Sequence, residues 1–146
     1  MSTAIICRAK EWGQRGKNTQ GMLRLGLDVV EVERWERLCH QPGRRVLARL
    51  FDPAELAQCR GPREPERLAG RWAAKEAVMK ALGHRPGPWR QVVILRGSGG
   101  VPEVSLRGRW QAAAEEQGLA TWMISISHER RVAAAVAVAT TKPVTG

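Results

Sequence analysis

The chain has 146 residues, of which 43% are hydrophobic, and its formal net charge is +10. That length suits one domain, the apolar content excludes a wholly disordered chain, and the charge favours an acidic partner or substrate. No apolar run approaches the roughly 20 residues that cross a bilayer, and the first residues do not resemble a secretion signal. We therefore expect a cytoplasmic protein without a membrane partner. Cys7, Cys39 and Cys59 form neither a CxxC pair nor a zinc pattern, which is typical of a reducing compartment.

Three segments are expected along the chain: a flexible extension over residues 1–21, one domain over residues 22–140 and a frayed tail over residues 141–146. The extension is polar and basic and shows no clear periodicity. Its alternative interpretation is a basic arm that binds a partner.

The domain begins with an alternating segment, Met22–Val29, that predicts a strand with Asp28 near its end. Helical spacing follows over Val30–His40, and Arg44–Phe51 predicts a second short helix. Five arginines gather on these helices and form either a docking face for an acidic protein or a solvated surface: Arg34, Arg37, Arg44, Arg45 and Arg49.

A third helix is predicted to begin at Asp52-Pro53-Ala54-Glu55, where Asp52 caps the helix and Glu55 bonds back to the cap. A long helix follows, from Glu64 to a stop at Gly83. Trp72, Glu76 and Lys80 recur every four residues and share one stripe of this helix. Its many alanines keep the helix slim, so we expect another chain or a ligand to approach closely: Ala69, Ala73, Ala74, Ala77 and Ala81.

The remainder of the domain predicts further strands and one more helix. The strands are Val92–Leu95, Val104–Leu106, Trp122–Ser127 and Val132–Ala139, and the helix is Arg109–Gln117. The last two strands are expected to form a hairpin that turns at His128–Arg131. This order predicts an α+β domain with a mainly antiparallel sheet.

Two carboxylates from distant segments, Asp28 and Glu76, can share a hard cation such as Mg²⁺. From spacing alone the simpler interpretations are a surface acid for Asp28 and a salt bridge to Lys80 for Glu76. Likewise Ser125-Ile126-Ser127-His128 is either a phosphate contact or an ordinary hairpin end with a surface histidine.

Three blocks of sequence stand out: Gly26-Leu27-Asp28-Val29-Val30-Glu31 through Arg34, then Arg67–Gly83, then Ser125–Glu129. In their order and distances these blocks together resemble the holo-[acyl-carrier-protein] synthases, the short bacterial branch of the 4′-phosphopantetheinyl transferase superfamily. The turn Gly99-Gly100-Val101-Pro102 also fits the family's G-x-P hairpin.

The resemblance implies transfer of the phosphopantetheine arm of coenzyme A to a serine of apo acyl carrier protein, with release of adenosine 3′,5′-bisphosphate. It implies that Asp28 and Glu76 bind Mg²⁺ and that Lys80 reaches the CoA pyrophosphate, so these three residues form the catalytic set. Lys75, His128 and Arg71 are expected to add phosphate contacts to CoA. The base that deprotonates the carrier serine is a metal-bound water or Glu76.

The resemblance further implies a homotrimer with active sites between subunits, packed through the alanine-rich strand Val132–Ala139. It implies docking of the acidic carrier protein on basic residues of the first two helices: Arg34, Arg37, Arg44 and Arg45. The chain departs from the family pattern in its extension, in the loop His84–Pro88, which lacks the usual Thr-Gly, and at Gln91, where an Asp is common.

Two other functions stay open. The charge and six Trp residues also fit a nucleic-acid-binding module, which needs exposed aromatics among basic residues. The resemblance does not favour nucleic-acid binding, and most Trp residues fall at core spacings. An inactive transferase relative is the other alternative, against which the intact motif argues.

Overall fold

The computed structural model describes residues 23–141, so the predicted extension over residues 1–21 lies outside the described residues. Within residues 23–141, five α-helices and five strands form the α+β domain that the sequence predicts. They are β1 (Leu23–Glu31), α1 (Glu33–Cys39), α2 (Arg44–Leu50), α3 (Pro53–Cys59), α4 (Glu64–Leu82), β2 (Val92–Arg96), β3 (Pro102–Leu106), α5 (Gly108–Glu116), β4 (Leu119–His128) and β5 (Val132–Thr141). The first residue of the predicted tail, Thr141, belongs to β5, and the rest of that tail lies outside the described part.

The strands form two antiparallel sheets, one with the order β1-β5-β4 and one made of β2 and β3. The predicted hairpin between β4 and β5 is confirmed, since Glu129 and Val132 exchange backbone hydrogen bonds across the turn. Helix α4 crosses the inner face of the three-stranded sheet and ends, as predicted, at Gly83 with φ 94°.

Small residues bring α4 and the sheet together. A Cβ atom at Gly26 of β1 would lie 1.8 Å from the carbonyl oxygen of Ala77, so only glycine permits this approach. At the other end of the helix, a Cβ atom at Gly70 would lie 2.9 Å from the Cγ2 atom of Ile126 on β4. Helix α4 therefore runs diagonally, with its first half over β4 and its second half over β1.

The predicted role of the alanines is wrong in part. Those of α4 are buried by the protein's own sheet rather than left for another chain or a ligand. On β5 the alternate alanines are also buried on the inner face, against α4: Ala133, Ala135, Ala137 and Ala139. The alanines on the inner face of β5 thus serve the close packing of helix on sheet.

The opposite face of the three-stranded sheet is apolar and open. Leu27 and Val29 on β1 are 48% and 61% exposed, and Met123 on β4 is 54% exposed. The alternation predicted for β1 is therefore present, but the leucines point outward while Gly26 and Asp28 point to the helix.

A chain of aromatic contacts joins α1 to α5 by way of Trp72 on α4 and Trp89, which lies between α4 and β2. Trp35 lies 5.7 Å from Trp72, Trp72 lies 4.7 Å from Trp89, and Trp89 lies 5.4 Å from Trp110, measured between ring centroids. Within residues 23–141 every Trp is buried or half-buried, which matches the prediction that most Trp residues belong to the core.

Candidate active site

Asp28 and Lys80 form a buried ion pair between β1 and α4. The Nζ atom of Lys80 donates to Asp28 Oδ1 at 2.8 Å and to the carbonyl oxygen of Leu27 at 2.9 Å. Asp28 is 3% exposed and Lys80 is 7% exposed, so Asp28 is not the surface acid that spacing alone favours. Gly26 makes this pairing possible, because it lets the second half of α4 lie directly on β1.

Glu76 lies one turn before Lys80 and interacts with Asp28. Burial, a hydrogen bond that the protonated Glu76 donates to Asp28, and the negative charge of Asp28 together raise the pKa of Glu76 to about 8. The positive charges of Lys80 and Arg34 favour the ionised carboxylate and therefore act to lower this pKa. Two carboxyls that share a site with one lysine therefore hold a proton near neutral pH.

The donor set suits a hard divalent cation, since such ions are bound by one or two carboxylates together with substrate phosphates. The like charges of Asp28 and Glu76 repel each other, and a cation between them would remove that repulsion and displace the shared proton. No cluster of three or more His, Cys, Asp or Glu residues occurs within residues 23–141, so any such ion would rely on phosphate and water for its other ligands.

The structure corrects the role predicted for Lys75. Its side chain is 0% exposed and its Nζ atom donates to Glu55 Oε2 at 2.8 Å and to the carbonyl oxygens of Trp89 and Val92. The ammonium also lies 5.1 Å from the centroid of the Phe51 ring. Because all three donors are used inside the protein, Lys75 cannot contact a CoA phosphate; it joins α4 to α3 and β2.

A basic cleft of about 150 Å³ opens beside the first half of α4. Arg71 and His128, both predicted to contact CoA, line this cleft. Arg67 of α4, Arg96 of β2 and the turn residues Gly100 and Pro102 also line it. The structure thus brings Arg71, His128 and the G-x-P turn together around one cavity.

The polar side chains of the Ser125–His128 motif lie on opposite faces of the sheet. The two serines alternate onto the open face of the sheet, whereas His128 is on the face that carries Asp28 and α4. The Nδ1 atom of His128 lies 3.5 Å from Glu66 Oε2, and Arg63 binds the same oxygen at 2.7 and 2.9 Å. Of the polar residues in this motif, only His128 therefore lines the basic cleft.

The arginines predicted to form a docking face differ in their partners. Arg37 pairs with Glu33 at 3.2 Å on the surface of α1, and Arg44 pairs with Glu64 at 3.1 Å at the start of α4. Arg34 and Arg45 are exposed. Arg34 also lies close enough to Glu76 to stabilise its carboxylate, so it joins the surface of α1 to the Asp28–Glu76 site.

Two residues of α3 escaped the sequence analysis. Glu55 was predicted only as a capping residue, and the capping box is present, but its carboxylate also receives Lys75 and the backbone N–H of Ile94. Gln58 holds the side chain of Arg71 and the backbone of Arg96. Glu55 and Gln58 are three residues apart and therefore share one face of α3. This spacing is the sequence signal that could have identified them as a pair.

Comparison with known proteins identifies the family. The family model of the 4′-phosphopantetheinyl transferase superfamily matches residues 24–137. The chain belongs to this superfamily. That span includes Asp28, Glu76, Lys80 and His128, so every block of the predicted resemblance falls inside it.

Curated relatives are similar over most of the domain. The holo-[acyl-carrier-protein] synthase of Frankia alni is 44% identical over 117 residues, which are 79% of this chain and 94% of that protein. The holo-[acyl-carrier-protein] synthase of Moorella thermoacetica is 45% identical over 120 residues, covering 80% of this chain and 93% of that protein.

Solved structures of superfamily members share the fold. The synthase of Neisseria meningitidis aligns with a TM-score of 0.71 at 32% identity, over 80% of this chain and 96% of that one. The synthase of Helicobacter pylori, solved in complex with coenzyme A, aligns with a TM-score of 0.69 at 26% identity, over 79% and 98%. Within residues 23–141 no helix is both long enough and apolar enough to cross a membrane.

Proposed function

We propose that this superfamily member is a holo-[acyl-carrier-protein] synthase, an enzyme that transfers 4′-phosphopantetheine from coenzyme A to a serine of apo acyl carrier protein. Adenosine 3′,5′-bisphosphate is the second product. The observation that carries this proposal is the buried group Asp28–Lys80 with Glu76 beside it, in a chain about 44% identical to named synthases. The basic cleft along α4 supports it, because a CoA molecule carries three phosphates that need positive charge.

Asp28 and Glu76 would hold the metal ion, which we propose to be Mg²⁺. When bound, such an ion neutralises charge on the pyrophosphate of CoA. Lys80 is fixed by two hydrogen bonds within the site, so its ammonium is oriented before substrate binds. We assign it to the pyrophosphate, where its charge stabilises the leaving phosphate.

We assign Arg71 and His128 to the phosphates of CoA, since both line the basic cleft. Arg67 and Arg96 add positive charge to the same walls. Lys75 has no part in this contact, because its donors are used inside the protein.

The acidic carrier protein is proposed to dock on α1 and α2. Arg34 and Arg45 are exposed there, and Val46, 39% exposed, adds an apolar contact. Arg37 and Arg44 already have carboxylate partners, so we expect them to contribute less than Arg34 and Arg45. Complementary charge of this kind chiefly accelerates association.

We also propose that the enzyme is a homotrimer, works in fatty acid biosynthesis and resides in the cytoplasm. The open apolar face of the three-stranded sheet supports the oligomer. Among residues 23–141, five of the seven exposed large hydrophobic residues lie on it: Leu23, Leu27, Val29, Met123 and Val132. Exposed apolar surface gathered on one face is typical of a protein interface.

Intact-mass spectrometry tests the proposed reaction. An apo acyl carrier protein is incubated with this protein, CoA and Mg²⁺, and a parallel sample contains EDTA. We expect a gain of one phosphopantetheinyl group on the carrier serine, and no gain with EDTA. The absence of a gain with carriers of both fatty-acid and polyketide type would contradict the proposal.

The nucleic-acid alternative is weakened because, within residues 23–141, no exposed Trp is available for base stacking. Nucleic-acid binding that survives both Asp28→Ala and Glu76→Ala would support that alternative.

A further inference from the structure

The outer edge of β2 is bonded by side chains rather than by another strand. Strand β2 pairs only with β3 in the described sheets, which leaves its second edge without a strand partner. A buried or half-buried edge of this kind must find other hydrogen-bond partners. Helices α3 and α4 provide them.

The bonds follow the alternation of the strand. Lys75 donates to the carbonyl oxygen of Val92, and at Ile94 the backbone N–H donates to Glu55 Oε1 at 2.9 Å. The carbonyl oxygen of Ile94 accepts from Arg71 Nε at 3.0 Å. At the next outward residue, Arg96, the backbone N–H donates to Gln58 Oε1 at 2.8 Å and the carbonyl oxygen accepts from Gln58 Nε2 at 3.3 Å.

Gln58 does more than replace a strand at this edge. Its Oε1 atom also accepts from Arg71 Nη2 at 2.8 Å, so one oxygen joins the guanidinium to the backbone of Arg96. With Nε bound to Ile94 and one Nη2 hydrogen bound to Gln58, the plane of the guanidinium is set by two fixed partners. Three of its five donors remain for a ligand.

Both partners of Gln58 line the basic cleft beside α4, whereas Gln58 itself is not among the residues that line it. We propose that Gln58 is a positioning residue for coenzyme A, which acts by holding the Arg71 guanidinium in the orientation that meets a CoA phosphate. This inference rests on the proposed function, since it takes Arg71 as a phosphate contact.

If one side chain acts through another, substitution of both has no larger effect than substitution of the second alone, and a double-mutant cycle measures this departure from additivity. Gln58→Met keeps the length of the side chain and removes its hydrogen bonds. The dissociation constant for CoA should rise about threefold to tenfold, as expected for the loss of one or two hydrogen bonds. In an Arg71→Ala background the same substitution should have no further effect, because the group that Gln58 orients is gone.

The matched control is Gln111→Met. Gln111 is also an exposed helical glutamine whose Nε2 atom donates to a side chain, Glu115 Oε1 at 2.9 Å, but it lies on α5, away from the cleft. Binding of CoA is measured by titration calorimetry for all variants, and KM for the carrier protein and kcat are measured alongside. We expect Gln58→Met to raise KM for CoA while KM for the carrier protein and kcat keep their values.

The outcomes separate the inference from the function on which it rests. If Gln58→Met binds CoA as tightly as wild type, or if its effect adds fully to that of Arg71→Ala, the positioning role is overturned while the transferase stands. If Arg71→Ala leaves CoA binding unchanged, the assignment of Arg71 is wrong and the role of Gln58 is overturned with it. Failure of the wild-type protein to bind CoA at all would contradict the proposed function itself.

Discussion

Glu76 is a half-buried carboxyl that interacts with a second carboxyl and lies one turn from a buried lysine. A glutamine in its place would keep the shape and lose the charge. We expect Glu76→Gln to lower the rate of phosphopantetheine transfer about 100-fold to 1,000-fold, the range found when one preorganised electrostatic group is removed from an active site. The rate is measured by intact mass of the carrier protein at saturating CoA and Mg²⁺.

Glu116→Gln provides the control, because Glu116 is an exposed glutamate on α5. Circular dichroism and thermal unfolding should show that both variants keep the fold. Full activity in Glu76→Gln would rule out a role for this carboxyl in transfer.

The raised pKa of Glu76 predicts how the metal-free site responds to pH. Because the folded pKa of about 8 exceeds the ordinary glutamate pKa of 4.5, the folded protein holds an additional proton between these values. The contribution of this group to stability is therefore fully present below about pH 4.5 and is lost as the pH rises through 8.

Asp28→Asn removes the neighbouring negative charge, so the pKa of Glu76 should fall, while burial still keeps it above the ordinary value for a glutamate. Addition of Mg²⁺ to the wild-type protein should also lower it, since a metal ligand must be deprotonated. Carbon NMR of a labelled Glu76 carboxyl measures both shifts. A wild-type midpoint near 4.5 without metal would contradict both the burial of Glu76 and its interaction with Asp28.

At the scale of elements, α3 and β2 are held on α4 by the buried pair Glu55–Lys75. Removal of one partner leaves the other charge buried, which typically costs about 3–5 kcal/mol. We expect Lys75→Met and Glu55→Gln each to lower the free energy of urea unfolding by roughly that amount at pH 7. The double variant should lose less than the sum of the two, because neither charge is then left alone.

The same variants distinguish a structural lysine from a CoA ligand. In the folded fraction, Lys75→Met should bind CoA with the wild-type dissociation constant. A destabilisation under about 1 kcal/mol, combined with weaker CoA binding, would instead restore Lys75 as a phosphate contact.

Features that depend on local chemistry were predictable from the sequence. The capping box at Asp52 and Glu55, the glycine end of α4 and the hairpin after His128 each follow from a few neighbouring residues, and all are present. The fate of Lys75 was not predictable in this way. Helical spacing places its side chain on a face of α4, but whether solvent or α3 covers that face depends on tertiary packing.

Which face of β1 is buried also could not be predicted from local sequence. Alternation predicts two faces, one with leucines and one with Arg24, Gly26 and Asp28, but it does not say which face is buried. In the structure the face of Gly26 and Asp28 is buried, because a helix approaches closely only where Gly26 offers no side chain. Asp28 is thereby brought to Lys80 and Glu76. Both residues lie 48 or more positions after Asp28 in the sequence, so local spacing cannot predict that they come together with it.

For the whole molecule, the arrangement of charge predicts how a carrier protein arrives. Arg34→Glu reverses an exposed charge on α1, and we expect it to raise KM for the carrier protein about tenfold and to flatten its dependence on salt. Arg109→Glu makes the same change in net charge on α5, so it controls for the overall field. An equal effect of both variants would show that net charge, rather than a docking face, governs association.

CoA binding offers a second readout for the same pair of variants. Arg34 also stabilises the Glu76 carboxylate, so Arg34→Glu is expected to affect CoA binding less than carrier binding but to leave a measurable change. Arg109→Glu should leave CoA binding unchanged.

The open sheet face sets the last prediction. Val29 on β1 is 61% exposed and lies opposite Ala134 of β5, on the apolar face that the proposed trimer would bury. A lysine there would place a charge inside that interface, and desolvation of an unpaired charge opposes association. Val29→Lys should therefore convert trimers to monomers in size-exclusion chromatography with light scattering.

Val101→Lys is the matched control, since Val101 is 59% exposed but lies beyond β2, off the three-stranded sheet. A trimer that survives Val29→Lys would place the interface elsewhere, and a wild-type monomer would leave this face for another partner. Because the side chain of Val29 points away from Asp28 and α4, any accompanying loss of transfer in Val29→Lys would mean that a complete site needs the neighbouring subunit.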